Sequence, residues 1–279
     1  MLYPVKHQDF GAHKVPPLIS YLRDVAHQKA RNGKKRNIYS HIVRTYSKVV
    51  RRSFDVTWEG INMRVHPNEN SGDRWIFRVG LHSEHEDMHY LNSLYAGKNL
   101  SVIDIGANIG VYTLYLSRIL GSDSKILCFE PHPETFERLM TNLAFNPDPN
   151  ITPVNTGVGD KSGTAWLYRL NETNAGENSL LSNGDEENRI EVKIQTLAEV
   201  VAEKGISHID FLKIDIEGFE DKALIPFMEN CDMALMPKHI FIEDNREQWE
   251  SDCFKYFLDR GYEITKSHKK NGNTHFMLK

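Results

Sequence analysis

The sequence predicts an α/β fold: a doubly wound, mostly parallel sheet that closes on an antiparallel hairpin and follows an N-terminal helical and β extension. Three observations predict it. Short apolar runs that read as buried strands alternate with helical patterns from about residue 101 onward. The first of them, residues 102–105, carries an acid, bends through Gly106-Ala-Asn-Ile-Gly110 and enters an apolar helix ending at Gly121. That strand, glycine turn and helix are the form in which bare backbone and a helix N-terminus meet a nucleotide. After the fifth strand the pattern changes to short alternating segments, as an antiparallel ending requires.

Composition bounds the class. A chain of 279 residues with 40% hydrophobic and 26% charged residues is an ordinary globule, large enough for one α/β domain and a modest extension. No apolar run approaches the roughly 20 residues of a membrane span, and no signal-peptide core is read at the start. Cys128, Cys231 and Cys253 are scattered without a C-x-x-C pair, so reduced thiols and a cytoplasmic setting are expected. A net charge of −4 speaks against nucleic acid as a partner.

The chain divides into a basic extension, 1–52, and a main domain, 53–279, the latter with a β-hairpin cap at 53–79 and a core at 80–279. Val15-Pro-Pro-Leu18 should keep the start irregular. From Val25 to Phe54 no residue is acidic, whereas Lys29, Arg31, Lys34, Lys35, Arg36, Arg44, Lys48, Arg51 and Arg52 are basic. Ile38, Tyr39, Ile42, Val43, Tyr46 and Val49 are spaced roughly as one helix face. The preferred reading is an amphipathic extension docked on the domain with a solvated basic face; a surface for anionic membrane, an acidic partner or an anionic substrate carrier is the alternative. Residues 54–58 and 61–65 form strands around Glu59-Gly60, and Trp75-Ile-Phe77 a further one. Ser83 with Glu86 makes a capping box opening a helix that ends near Gly97. His82, His85 and His89 are read as surface histidines rather than metal ligands, because their spacing is imperfect and no zinc signature accompanies them.

In the core, residues 125–129 form the second strand, ending at Glu130, and Pro133 starts a helix marked by Phe136, Leu139, Met140, Leu143 and Ala144. Residues 151–154 form the third strand; 164–168 and 190–194 alternate as an antiparallel pair around a polar stretch, 171–188, read as a binding loop. Thr196 opens a helix, residues 209–216 and 239–242 supply the fourth and fifth strands, and Trp249, Cys253, Tyr256 and Phe257 mark a helix capped by Gly261. A closing hairpin runs over 262–265 and 274–278 with a turn at Asn271-Gly-Asn.

Ligands of such sheets lie beyond the carboxyl ends of the strands, and acids gather there: Asp104, Glu130, Asp160, Asp215, Glu217 and Glu243. Glu130 stands where the corresponding acid of dinucleotide folds takes both ribose hydroxyls. Asp160, beside Gly157 and Gly159, is set to meet an adenine amino group or to serve as a turn acid. Because Ala107, Asn108 and Ile109 separate Gly106 from Gly110, the turn is not G-x-G-x-x-G. It resembles instead motif I of S-adenosylmethionine-dependent methyltransferases. Asn108 and Gly110 would then offer donors to the methionine carboxylate, and Asp104 would order the turn or hold the sulfonium end through water.

Taken in order, Val102-Ile-Asp-Ile-Gly-Ala-Asn-Ile-Gly-Val-Tyr-Thr113, Phe129-Glu-Pro-His-Pro133 with Asn142-Leu143, Val158-Gly-Asp160 with Gly163, and Leu212-Lys-Ile-Asp-Ile-Glu-Gly-Phe-Glu220 with Leu224 resemble the FkbM family of these methyltransferases. The resemblance covers roughly residues 80–265 and implies a Rossmann-like class I methyltransferase fold, S-adenosylmethionine as cofactor, and O-methylation of a sugar, glycan or other small-molecule hydroxyl. By it, Asp104, Gly106, Asn108, Gly110 and Glu130 belong to the cofactor site; Gly159 and Asp160 join them from the reading above. Asp215 and Glu217 lie at the catalytic edge. The basic extension is not part of the recognised pattern.

An acceptor hydroxyl needs a base, and Asp215, Glu217 and Glu243 are the candidates by position, with His132 and His82 as rivals by chemistry. Lys213, two residues before Asp215, shares its strand face and would pair with it. A metal-free base is preferred over Mg²⁺ or Ca²⁺ held by Asp215 with Glu243, Asp244 or Asn245. A nicotinamide-dependent oxidoreductase lacks its middle glycine. A noncatalytic cofactor-binding interaction protein would be expected to lose the cleft acids, which are intact. A nucleic-acid methyltransferase lacks an Asn/Asp-Pro-Pro-Tyr/Phe motif at the fourth strand.

Overall fold

Pro17 suits a first helical position, where fixed φ helps and a backbone donor is not needed, and it opens α1 (Pro17–Arg31). The tandem prolines therefore start a helix rather than prolong an irregular arm. The structure is a computed structural model describing residues 8–34, 37–169, 178–179, 189–267 and 272–279. Gly33, at φ 82°, ends the first helix region, and Asn37 opens another. Its side chain accepts the Ser40 N–H (3.0 Å) while the Ser40 hydroxyl accepts the Asn37 N–H (3.2 Å), starting α2 (Ile38–Val50). The apolar residues read as one face divide: Val43 is buried against the domain, whereas Ile38, Ile42 and Val49 are exposed.

β1 (Phe54–Trp58) and β2 (Ile61–Val65) pair antiparallel through Glu59 and Gly60, both left-handed at φ 48° and 77°, a two-residue turn that matches strand twist. The next segment departs from expectation. Asn70 accepts the Asp73 N–H (3.3 Å) and Gly80 closes at φ 71°, so Trp75-Ile-Phe77 lies inside a helix, α3 (Ser71–Val79), despite its strand-forming composition. The cap is thus a hairpin followed by a helix. The Ser83 capping box also fails to form. Helix α4 (His85–Tyr95) starts behind Glu84, whose carboxylate instead accepts the Tyr112 hydroxyl (2.5 Å) and the Asn273 amide (3.1 Å).

The core then alternates as predicted: β3 (Ser101–Ile105), α5 (Val111–Ile119), β4 (Lys125–Phe129), α6 (Pro133–Phe145) and β5 (Ile151–Val154). A second, smaller sheet follows from β6 (Gly157–Val158), β7 (Gly163–Arg169), β8 (Asn178–Ser179) and β9 (Arg189–Gln195), in the order β6-β9-β7-β8. The chain continues through α7 (Leu197–Glu203), β10 (Phe211–Ile214), α8 (Glu220–Asn230), β11 (His239–Glu243), α9 (Cys253–Asp259), β12 (Tyr262–Ser267) and β13 (Asn273–Leu278). Apart from β8, the expected binding loop at 171–188 lies outside the described residues, as does Asn271 of the closing turn.

The main sheet runs β12-β13-β11-β10-β3-β4-β5, with β10, β11, β3, β4 and β5 parallel and β13 antiparallel to both neighbours. This is a Rossmann-like, doubly wound sheet whose strand order reverses between β3 and β10. Side chains alternate across it. Ile103, Leu127, Leu212 and Ile240 face the cluster containing α7, α8 and α9, while Val102, Ile126, Phe211 and Phe241 face α4, α5 and the hairpin.

Asn142 joins cap to core. Fully buried on α6, it accepts the Arg64 N–H of β2 (2.8 Å) and donates to the Ile109 carbonyl (2.9 Å). Asn142→Ala leaves a buried donor and a buried acceptor unmet. It is expected to lower unfolding free energy by about 2–4 kcal/mol in urea denaturation; an unchanged midpoint would refute this linkage.

Candidate active site

A cavity of about 280 Å³ opens beyond the carboxyl ends of β3, β4, β10 and β11. Its floor is the turn from Gly106 to Gly110. Gly106 (φ 83°), Asn108 (φ 52°) and Gly110 (φ 92°) are all left-handed. A Cβ on Gly106 would come within 2.0 Å of the Asp215 carbonyl, so glycine is required where the ends of β3 and β10 converge. The turn satisfies most of its own donors: Gly106 and Ala107 N–H reach the Phe129 carbonyl, Ile109 N–H the Asn108 side chain, and Gly110 N–H the Ala107 carbonyl.

Glu130 follows β4. Its two oxygens accept the N–H groups of Asn108 (3.0 Å) and His132 (2.9 Å), which fix the carboxylate in the wall while leaving each oxygen capacity for another donor. Burial pushes its pKa up to about 7, against the pull of those two hydrogen bonds and of Lys213. Beside it, Phe129, Pro131, Val158 and Leu167 form an apolar slot.

Lys213 is 2% exposed on β10 and stands directly beside Asp104 of β3 in the parallel register. Its ammonium lies 3.3 Å from Asp215 Oδ2, 3.4 Å from the Gly106 carbonyl and 3.8 Å from Asp104 Oδ1, with the Tyr112 ring 4.9 Å away. Burial opposes this charge, but Asp215, Asp104 and Glu84 outweigh it and raise its pKa. Burial likewise raises Asp104, whose Oδ2 accepts the Thr113 hydroxyl (2.6 Å).

At the cavity mouth Asp215, Glu217 and Glu243 bring carboxylate oxygens within 4.8 Å of one another. Burial first, then Asp215 and Glu217, push the Glu243 pKa up to about 9. Behind them, buried Glu220 shapes the loop after β10 by accepting the Ile216 N–H (3.0 Å), the Trp249 indole N–H (2.6 Å) and the Asn245 amide (3.2 Å). Sequence reasoning gave Glu220 no role, and two of its partners, Asn245 and Trp249, lie in a distant stretch of the chain.

Of the anticipated residues, Gly106, Asn108, Glu130, Asp215, Glu217 and Glu243 line the cavity together. Four do not. Asp104 is sealed beneath the turn, and Gly110 is spent on packing, its missing Cβ facing Leu139. Gly159 gives its N–H to Gln195, and Asp160 is exposed, because Thr156, Gly157 and Val158 form the wall there instead. Neither Gly110 nor Asp160 lines the cavity, and the Gly110 N–H is used within the turn. Of the rival bases, His82 lines the cavity with a pKa lowered by burial, and His132 does not line it. The remaining wall was missed: Asn70, Ser71 and Gly72 at the start of α3, with Ser83, Glu84 and Tyr112. Asn70 donates to the Asn108 side chain (3.2 Å), joining this wall to the glycine turn.

Residues 104–264, more than half of the chain, match the Methyltransferase FkbM domain. Methyltransferase sdnD of Sordaria araneosa is 28% identical over 155 residues, covering 45% of this chain and 60% of that protein. 31-O-demethyl-FK506 methyltransferase FkbM of Streptomyces tacrolimicus is 28% identical over 152 residues, covering 44% and 57%. Hexuronic acid methyltransferase AglP of Haloferax volcanii is 26% identical over 123 residues, covering 43% and 47%. The matches thus span about half to three-fifths of these curated relatives.

Lys213→Met strands the Asp104 charge in the sheet and is expected to cost about 3–5 kcal/mol of stability, whereas Lys213→Met with Asp104→Leu recovers most of it. Denaturant titration of both single variants and the double variant checks this; a double-variant loss equal to the sum of the single losses would mean that the two side chains are not coupled.

Proposed function

The chain belongs to the FkbM methyltransferase family, and we propose that it is an S-adenosylmethionine-dependent O-methyltransferase acting on a hydroxyl of a sugar, glycan or other small molecule. The observation that carries this reading is the pairing of Glu130 with the Asp215, Glu217 and Glu243 cluster across one cavity. One carboxylate would grip a ribose; the others would take a proton. Two similar proteins are named for a hexuronic acid and for 31-O-demethyl-FK506, which favours an oxygen acceptor.

The donor set fits this cofactor. Glu130 would accept both ribose hydroxyls, the slot of Phe129, Pro131, Val158 and Leu167 would take the adenine, and Asn108 would face the amino-acid end. Bound S-adenosylmethionine supplies a methyl group already activated by positive sulfur. The protein's remaining tasks are to align an acceptor oxygen, exclude water and receive a proton.

Glu243 is the base in this reading, because burial and its two acidic neighbours push its pKa up to about 9. The Asn245 amide donates to its Oε2 (2.9 Å) and orients the carboxylate. Lys213 steadies Asp215 beside it. The wall of Asn70, Ser71, Gly72, His82, Ser83 and Glu84 would shape the acceptor side, and all six residues precede the family-matched segment.

Two measurements test the reading. In calorimetry, S-adenosylhomocysteine should bind and NAD should not. Glu130→Ala should weaken binding by about tenfold or more. Affinity should rise with pH through about 7, because only the ionised Glu130 accepts both hydroxyls, and Glu130→Gln should abolish that rise. NAD binding alone, or an unaffected Glu130→Ala, would overturn the cofactor assignment. With methyl-labelled cofactor and glycan or lipid extracts, transfer should climb with pH toward about 9 and survive a chelator. Glu243→Gln should reduce transfer by about 10²–10⁴-fold. Chelator-sensitive transfer would favour a divalent cation among the three acids instead.

A further inference from the structure

Helix α2 presents an apolar stripe on the side away from the protein. Ser40, Val43 and Ser47 are buried on its inner face. At about 100° per residue, Ile38, Ile42, Thr45 and Val49 fall on the opposite face, spaced i, i+4, i+7 and i+11. Ile38 is 67%, Ile42 41% and Val49 78% exposed. A solvated helix face has no need of branched aliphatic side chains, and these stand on a helix already anchored through its other side.

The charge beside the stripe identifies what would cover it. His41, Arg44 and Lys48 are exposed along one flank, and Arg51 and Arg52 follow at the C-terminal end. No acidic residue occurs from Val25 to Phe54 to balance them, although the whole chain carries a net charge of −4. A second copy of this chain would set like charges against one another. Apolar side chains projecting from a helix with cationic flanks suit the headgroup boundary of an anionic bilayer, where the aliphatic groups leave water and the cations meet lipid phosphates and carboxylates.

We infer that the outward face of α2 is a docking surface for anionic lipid membranes, with Ile38, Ile42 and Val49 entering the interface while Arg44 and Lys48 engage headgroups. Few apolar side chains are available, so binding is reversible and needs both contributions. Among the described residues no helix is long and apolar enough to cross a membrane; the contact is peripheral, with α2 lying along the surface. The inference is independent of the proposed chemistry, since none of these residues lines the cavity.

Vesicle co-sedimentation of the full chain tests it. Phosphatidylserine-containing vesicles should retain the protein at low salt and release it at high salt, and pure phosphatidylcholine vesicles should retain little. Arg44→Glu with Lys48→Glu should lower partitioning by about tenfold or more, and Ile42→Ser with Val49→Ser should lower it independently. All four positions are exposed, so both variants should keep the native thermal midpoint. Equal binding to neutral vesicles, binding unaffected by either variant, or a dimer in solution that both variants dissociate would overturn the inference.

Discussion

A buried ammonium placed directly beside a buried carboxylate at the middle of the sheet is the constraint on which the site rests. Lys213 and Asp104 are register partners on β10 and β3, the two strands between which the order reverses. Neither charge is tolerable there alone. The pair alone need not stabilise the fold, since packed hydrophobic residues often do as well. It fixes position: the same ammonium reaches the Gly106 carbonyl and Asp215, so the glycine turn and the acidic loop are referred to one point. Tyr112 covers that point and carries the arrangement outward through Glu84 to Asn273 on β13.

From this point the chemistry separates to two sides. Toward β4, Glu130 is held by backbone donors from two different segments, which orient a carboxylate without neutralising it. Toward β11, three acids crowd together, and burial with Asp215 and Glu217 beside it lifts Glu243. Glu220 makes the crowding possible by supplying the acceptors that the bent backbone after β10 requires, Glu217 included at φ 56°.

Features governed by short-range periodicity were legible in the residues. Buried runs, glycine turns and the acids at strand ends gave the sheet, and six of the anticipated site residues meet in one cavity. The departures have different causes. Trp75-Ile-Phe77 has strand-forming side chains, but Asn70 and Gly80 cap it as a helix. Glu84 could not be read from its neighbours because its partners, Tyr112 and Asn273, are brought to it only by the finished fold. Asp160 sits in a glycine-rich bend where β6 brings Val158 into the cavity wall and the acid itself is exposed.

The wall contributed by Asn70 and its neighbours is built by chain that precedes the family-matched segment, and hydrogen bonds from Asn70 to Asn108 and from Tyr112 to Glu84 tie it to that segment. The two sides of the cavity therefore come from separate stretches of chain, so substitutions before residue 104 reshape one wall while the glycine turn, Glu130 and the three acids keep their own framework.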